Sequence, residues 1–389
     1  MTIINACMIF TEFQEIIGTK YPIIQAGMGP YSTTELCITV AKEGALGLIS
    51  TIGMAAGGAS SAAPEVAQKV FGKGSPKVIV KRVIQYVYDN LLDFPEAKFG
   101  LNIPVASDFD YASRRLIKGT IEILREKPEI QKKLNVIVTS AGDPLPWAID
   151  AASKGAKRIR IPIKEELPDI IWCHVCPNVR GAKRAEKAGV DIVIASGREG
   201  GAHCAWRDVS SMVLLPEVVK NVNKPVIGAG GFSDGASLAA ALALGAIGIQ
   251  MGTRFIATKE ADFQQMWKEA LVKRAETDTL VARGFFGPMR FLRNPMSLKV
   301  VDETVSGASD LFRGIPCPSN DKIMRIELQG LENLYEEIED DSIILGGVVT
   351  GRIHSIPTVR ELLEDIMDEA EKVISNLPAY IKKEKLIEV

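Results

Sequence analysis

Two glycine-bearing turns within residues 224–255 carry the strongest chemical signal in the chain. The first apolar run there leads into Gly230 and Gly231, and the second ends in Met251, Gly252 and Thr253. Glycine lets a backbone approach an anion closely, and unpaired N–H groups at such turns donate to it. The Thr253 hydroxyl adds a further donor. One such turn would indicate only a tight connection, but two on consecutive runs favour a phosphate site.

An imidazole follows a glycine-rich loop in the segment 191–206. Glu199 precedes Gly200 and Gly201, and His203 follows Ala202. Glycines remove side-chain bulk, which suits a planar ligand lying against the backbone, with His203 as an acid, a base or a hydrogen-bond donor to substrate. The alternative for this histidine is a satisfied core position.

A third candidate segment, residues 21–30, surrounds the first apolar run. Gln25 can donate and accept hydrogen bonds at the edge of a heterocycle. Gly27 and Met28 offer backbone donors and a soft apolar contact. A buried first strand followed by a turn explains the same residues equally well.

Eight short apolar runs would position these residues. They are rich in Val and Ile and do not alternate with polar residues, which is typical of buried parallel strands. They occupy residues 22–25, 45–50, 99–103, 136–140, 170–174, 191–195, 225–228 and 247–251. Helical patterns lie between them, at residues 34–43, 111–125, 146–154, 179–188 and 237–244. The alternation also fits a doubly wound sheet, but eight repeats with functional residues at strand ends favour a TIM (β/α)8 barrel.

The strand–helix alternation stops after residue 255 and divides the chain into three parts. We expect the barrel in residues 1–258 and a smaller, α-rich appended domain in 259–344, with loops around 285–295 and 312–320. Residues 345–389 then contain a glycine-rich turn and an amphipathic helix at 359–377 that packs back on the barrel. The small-residue stretch 54–64 is a candidate mobile loop of the active site.

Composition excludes several classes of function. Lys and Arg number 46 against 48 Asp and Glu, so no basic excess is available for nucleic acid. The longest apolar stretch, 238–251, is too short to span a membrane, and the start of the chain does not have the form of a signal peptide. We therefore expect a cytoplasmic protein.

The spacing of Cys173 and Cys176 would suit a redox pair, but buried strand positions are favoured for both cysteines. No metal site is expected.

These segments together resemble the nitronate monooxygenase family, formerly called 2-nitropropane dioxygenases, which also contains the flavin-dependent enoyl-ACP reductases. The resemblance covers residues 21–255. It rests on PIIQAGM at 22–28, EGGAH at 199–203 and GAGGFSDG…LALGA…QMGTRF at 228–255. Weaker matches follow at 287–294 and 346–361.

The resemblance implies a barrel that holds FMN without a covalent bond. The flavin ring would lie near Gln25, Gly27 and Met28, and the family's active-site histidine corresponds to His203. The other residues that the resemblance implies for the cofactor are Asn102, Ser140, Gly201 and Met251 around the flavin and Gly230, Gly231, Gly252 and Thr253 at its phosphate. The usual Ala-Gly-Gly-His is here Gly-Gly-Ala-His, so the loop must accommodate a Cβ at Ala202.

Three functions follow from these observations. The first is oxidation of a nitronate by O2 without a nicotinamide. The second is NAD(P)H-dependent reduction of an enoyl thioester, with residues 259–344 shaping the acyl channel. The third, a flavin- or phosphate-binding barrel without turnover, is disfavoured by His203 and the open glycine loop. The expected partner is a small-molecule substrate, and a homodimer is possible.

Overall fold

The structure is a computed structural model that describes residues 9–55, 64–206, 209–284, 286–307 and 320–381. Its strands are β1 Ile23–Gln25, β2 Leu46–Ser50, β3 Phe99–Pro104, β4 Leu134–Ser140, β5 Ile171–Cys176, β6 Ile192–Ser196, β7 Ala202–His203, β8 Val226–Ala229, β9 Gly248–Met251, β10 Thr279–Arg283 and β11 Pro288–Leu292. Eight of them close a parallel barrel in the order β1-β2-β3-β4-β5-β6-β8-β9. The predicted TIM barrel is confirmed, and each predicted run overlaps one barrel strand.

Helices alternate with the barrel strands and continue beyond them. They are α1 Glu12–Ile17, α2 Thr34–Lys42, α3 Ile52–Ala55, α4 Pro64–Phe71, α5 Pro76–Asn90, α6 Asp110–Glu126, α7 Ile163–Glu166, α8 Val179–Ala188, α9 Ser211–Asn221, α10 Gly235–Ala243, α11 Thr253–Ile256, α12 Gln265–Lys273, α13 Pro295–Gly307, α14 Asp321–Tyr335 and α15 Val359–Asn376. The prediction of a helix at 146–154 is wrong. That segment has a 3-10 turn at Leu145–Trp147 followed by turns, in which Asp150 adopts a φ of 54° that no right-handed helix contains. Most of the candidate loop 54–64 lies outside the described residues.

Side-chain direction in the barrel follows from strand register. Ile24 pairs with Leu46 on one side and with Gln250 on the other, and Gln250 pairs with Ala229. Ile24, Leu46 and Ala229 belong to the apolar cluster that fills the barrel interior. Because residues side by side in a sheet share a face, Gln250 also points inwards.

The appended region contains a hairpin that the sequence did not indicate. Strands β10 and β11 pair antiparallel, and β11 pairs with β7, which lies in the connection after β6. The loop predicted around 285–295 is therefore a strand over Pro288–Leu292. All five residues of this strand are buried, so it shows none of the polar alternation that identifies a strand with one exposed face. The loop predicted at 312–320 lies almost entirely outside the described residues.

The C-terminal helix α15 packs against helix α10 of the barrel. It begins with a capping box between Thr358 and Glu361. A Cβ built on Gly235 of α10 would lie 2.4 Å from the Ile366 carbonyl oxygen, so only glycine permits this approach of the two helices. Gly235 N also donates to Glu369 Oε2 at 2.8 Å. In the described part of the chain, no helix combines the length and apolar character needed to cross a membrane.

Candidate functional site

Polar side chains form the last layer of the barrel interior at the carboxyl ends of the strands. Ser50 pairs in register with Asn102, and Asn102 Nδ2 donates to Ser140 Oγ at 3.3 Å. Ser50 Oγ and Gln250 Oε1 are buried and have no hydrogen-bond partner among the described residues. A buried unpaired polar atom costs about 1–3 kcal/mol. This layer therefore suits a ligand with a polar edge. The resemblance places the flavin at the same end of the barrel, around Asn102 and Ser140.

The side chains of Gln25 and Met251 face the other way. These two residues pair with each other in register, and Met251 packs in the cluster between barrel and helices. Gln25 is fully buried, and its Oε1 accepts from Leu48 N at 3.0 Å, which ties β1 to β2. Neither side chain reaches the barrel interior. Successive strand residues alternate in direction, so the inward residue at this end of β9 is Gln250, one position before Met251.

Gly27 and Met28 lie over this polar layer. A Cβ on Gly27 would lie 2.3 Å from the Cβ of Asn102, so the backbone here approaches Asn102 as only glycine can. The Sδ atom of Met28 lies 3.4 Å from where a Cβ on Gly252 would be. Met28 is thus placed between the first strand and the predicted phosphate site.

The two glycine-bearing turns form a set of free donors. Gly230 and Gly231 adopt φ values of 76° and 89°, a left-handed conformation that favours glycine. A Cβ on Gly230 would also lie 2.5 Å from Gly197 O. Strands β8 and β9 are neighbours, so the two turns lie side by side. No hydrogen bond within the described residues is donated by the N–H groups of Gly230, Gly231, Gly252 and Thr253.

A C-terminal segment closes against these turns. Gly347 N donates to Thr253 Oγ1 at 3.0 Å, which leaves the hydroxyl proton of Thr253 available for a ligand. Val348 N donates to Glu199 O at 2.9 Å. A Cβ on Gly201 would lie 2.6 Å from the Gly346 carbonyl carbon. The glycines of the loop therefore serve backbone-to-backbone packing as well as ligand access.

The carboxylate of Glu199 has a structural role. It accepts from Ser210 Oγ at 2.8 Å and from Ser211 Oγ at 2.9 Å, and it also accepts from Ser211 N. These bonds satisfy donors at the start of α9. Glu199 thus holds the glycine loop against α9.

His203 lies just beyond the strained residue of this loop. Ala202 adopts a φ of 60°, so the Cβ that the sequence introduces here is accommodated in the left-handed region. Strand β7 is held by β11, where His203 pairs with Met289. The imidazole is 36% exposed and so remains accessible to a substrate.

A carboxylate from the appended region lies beside His203. Glu327 Oε1 on α14 is 3.9 Å from His203 Nε2, and the Glu327 side chain is only 4% exposed. The ring of Phe286 lies 5.9 Å from the imidazole and 4.5 Å from the ring of Phe109. Sequence reasoning missed Glu327 because an acidic residue on an amphipathic helix usually faces solvent. His203 is thus surrounded by residues from the barrel, the hairpin and α14.

Other reactive side chains are buried away from this site. His174 Nδ1 lies 2.8 Å from Thr139 Oγ1, and burial lowers the pKa of His174 to about 4. Cys173 and Cys176 are fully buried, as predicted, and burial raises the pKa of Cys176 to about 12. The described residues contain no group of three or more His, Cys, Asp or Glu suited to a metal ion.

Comparison with known proteins gives the family. The family model of nitronate monooxygenases matches residues 129–369, more than half of the chain. A probable nitronate monooxygenase of Staphylococcus saprophyticus is 32% identical over 306 residues, covering 73% of this chain and 79% of that protein. The chain belongs to the nitronate monooxygenase family. Members of this family are oxidoreductases.

Proteins that are similar to this chain carry names of different activities. A (3aS,4S,5R,7aS)-5-hydroxy-7a-methyl-1-oxo-octahydro-1H-indene-4-carboxyl-CoA dehydrogenase of Rhodococcus jostii is 30% identical over 295 residues, covering 74% of this chain and 66% of that protein. FabK from Thermotoga maritima is 27% identical with a TM-score of 0.72, over 96% of this chain and all of that one. A nitroalkane oxidase from Streptomyces ansochromogenes has a TM-score of 0.66 at 18% identity, over 94% of this chain and 99% of that one, and supports the fold alone.

Proposed function

We propose that this protein is an FMN-dependent oxidoreductase that oxidises alkyl nitronates with O2. Its family and the 32% identical relative support nitronates as the substrate class. Bound FMN would supply the two-electron chemistry, accepting electrons from the substrate and passing them to O2. The rest of the proposal concerns what this chain's own residues do.

The residues present fit a flavin with one phosphate. The free N–H groups of Gly230, Gly231, Gly252 and Thr253 match a phosphate monoester. The unpaired atoms Ser50 Oγ and Gln250 Oε1, with Asn102 and Ser140, match the polar edge of a heterocycle. Gly27 and Met28 would cover the ring, and Gly201 leaves the loop free of side-chain bulk. These assignments retain nine of the residues named from the sequence and replace Gln25 and Met251 with Gln250 and Ser50.

His203 is proposed as the group that handles the substrate's proton. Its Nε2 would hydrogen-bond the nitro oxygens of a nitronate or take a proton from the carbon of a neutral nitroalkane. Glu327, 3.9 Å away, would limit the orientations of the imidazole. Phe109 and Phe286 present apolar surface beside it, which suits a short alkyl chain and excludes water.

The observation that carries this proposal is the accessible imidazole of His203 next to the buried carboxylate of Glu327. The direct test is nitrite release and O2 consumption by the FMN-loaded protein given ethylnitronate. We expect turnover without any nicotinamide. Turnover only with NADPH present, or no turnover with several nitronates, would refute nitronate oxidation.

A second candidate is NAD(P)H-dependent reduction of an enoyl thioester. It is favoured by FabK, an enoyl-ACP reductase, which matches 96% of this chain at 27% identity. In this reaction His203 would contact the acyl carbonyl or the nicotinamide. The test is NADPH oxidation that depends on crotonyl-CoA or a crotonyl carrier protein. NADPH oxidation that is unaffected by the enoyl thioester would refute this candidate.

A further inference from the structure

A basic cleft of about 430 Å³ lies beside the first turns of α6. Strand β3 ends at the carboxyl face of the barrel and α6 begins a few residues later, so these turns are at the rim of the mouth. Phe109, directly before α6, contacts Phe286, which in turn lies next to His203. The cleft is lined by Lys77, Tyr111, Arg114, Arg115, Lys118 and Ile161.

The charge of this cleft is unbalanced. Its lining contains four cationic side chains and no carboxylate, although the whole chain carries a net charge of −2. Lys77 pairs with Glu122 at 3.0 Å and Arg114 with Asp110 at 3.2 Å. Arg115 and Lys118 form no ion pair within 4.0 Å of a described carboxylate, and the charge of Lys118 acts with Lys77 and Lys81 to lower the pKa of Glu122. Two cations are therefore available to an anionic ligand.

The uncharged part of the lining suits a flat ring. Tyr111 is 53% exposed, and the Arg115 guanidinium lies over one face of its ring, 4.5 Å from the ring centroid. Ile161 adds an apolar wall from the segment before α7. Residues 111, 114, 115 and 118 share one face of α6 that extends for about 10 Å, long enough for a base and its phosphates. An aromatic ring stacked on a guanidinium, with an ammonium group nearby, is a recognition surface for phosphorylated nucleosides.

We propose that this cleft binds the adenosine end of a nucleotide that carries an additional phosphate monoester. Two sources have this chemistry: the 3′-phosphate of a coenzyme A thioester and the 2′-phosphate of NADPH. Tyr111 and Ile161 contact the base, and Arg115 and Lys118 bind the monoester. The reacting end of the ligand extends past Phe109 towards His203. This inference rests on the second candidate function, because a simple nitronate carries no nucleotide.

The test measures binding rather than turnover. Dissociation constants are determined by calorimetry on the full-length, FMN-loaded protein for coenzyme A, 3′-dephospho-coenzyme A, NADPH and NADH. The cleft variant carries Arg115→Gln and Lys118→Gln. A matched control carries Lys183→Gln and Lys187→Gln on α8, which removes the same charge from another exposed surface.

We expect the cleft variant to weaken binding of coenzyme A or NADPH by at least about tenfold, and the control variant to bind as the wild type does. If the cleft variant loses affinity only for coenzyme A, and binds 3′-dephospho-coenzyme A as the wild type does, the ligand of the cleft is the coenzyme A thioester. If it loses affinity only for NADPH, and binds NADH as the wild type does, the ligand is the reductant NADPH. Equal affinities in wild type and cleft variant, or no binding of any of the four, overturn the proposal. Failure of the oxidoreductase function would instead appear as missing turnover while nucleotide binding persists.

Discussion

His203 Nε2 lies 3.9 Å from Glu327 Oε1, although the two residues come from different parts of the fold. His203 follows the glycine loop after β6, whereas Glu327 belongs to α14 of the appended region. The hairpin brings them together, because β7 pairs with β11 and a Cβ on Gly284, directly after β10, would lie 3.0 Å from Glu327 Oε2. The appended region thus contributes directly to the candidate active site.

Replacing His203 with Ala should lower kcat/KM by about 100-fold or more while the protein retains its flavin, because the proton-handling group is lost but the phosphate site is intact. Activity and flavin absorbance are measured on the same preparation. The control is His354→Ala, at an exposed histidine outside the site. Unchanged turnover in the His203 variant would remove this residue from the mechanism.

Glu327→Gln should lower kcat by about tenfold with little change in KM, since the imidazole would still be present but less well oriented. Steady-state kinetics separate the two constants. Glu332→Gln, at an exposed position of the same helix, controls for the loss of one negative charge. If both variants behave alike, Glu327 does not position His203.

Gly231→Val should abolish flavin retention. Gly231 has a φ of 89°, and a Cβ there would lie 3.2 Å from Glu199 Cβ, so a branched side chain displaces the turn that presents the free N–H groups. The readout is the flavin-to-protein ratio after gel filtration. Gly155→Val is the matched control, because Gly155 has a φ of 83° and no neighbour within 4 Å. Normal flavin content in the Gly231 variant would disprove the phosphate site.

Gln250→Leu should weaken FMN binding by roughly tenfold without destabilising the apoprotein. The substitution removes a buried acceptor that has no partner within the described residues, so the folded protein loses no bond while the flavin does. Fluorescence titration with FMN and the Tm of the apoprotein measure the two effects. Met251→Leu, on the outward side of the same strand, should leave FMN affinity unchanged. Equal losses in both variants would contradict the assignment of the inward face.

The buried His174 should make the free energy of unfolding depend on pH in the acidic range. Burial lowers its pKa to about 4, whereas an unfolded histidine has a pKa near 6.5. Between these values the unfolded chain binds more protons, so stability falls as the pH decreases from 6.5 towards 4. The loss at pH 5 is about 2 kcal/mol. Urea unfolding at pH 7 and pH 5 tests this: His174→Gln should lack that part of the pH dependence, and His354→Gln should keep it.

Much of the barrel could be predicted from sequence because buried parallel strands are read directly from short Val- and Ile-rich runs. The hairpin β10–β11 could not, since Pro288–Leu292 is buried along its whole length and shows no alternation. The segment 146–154 has a helical pattern of apolar residues, yet the backbone at Asp150 breaks the helix. Local pattern therefore failed where tertiary packing determined the backbone.

The candidate site shows the same division. Backbone features such as Gly230 and Gly231 were predictable, because a left-handed turn requires glycine. Side-chain direction was not predictable, because the apolar run at 247–251 does not reveal that the side chain of Gln250 points inwards and that of Met251 outwards. Glu327 had no local signal at all, since its burial depends on how α14 packs against the glycine loop and hairpin.

The most direct test of the account is the visible spectrum of the purified protein, recorded anaerobically before and after addition of ethylnitronate. We predict an oxidised flavin spectrum that the nitronate bleaches without any nicotinamide and that returns when O2 is admitted. The matched His203→Ala protein should show the same initial spectrum and little bleaching. A protein without a flavin spectrum, even after incubation with FMN, would contradict the account.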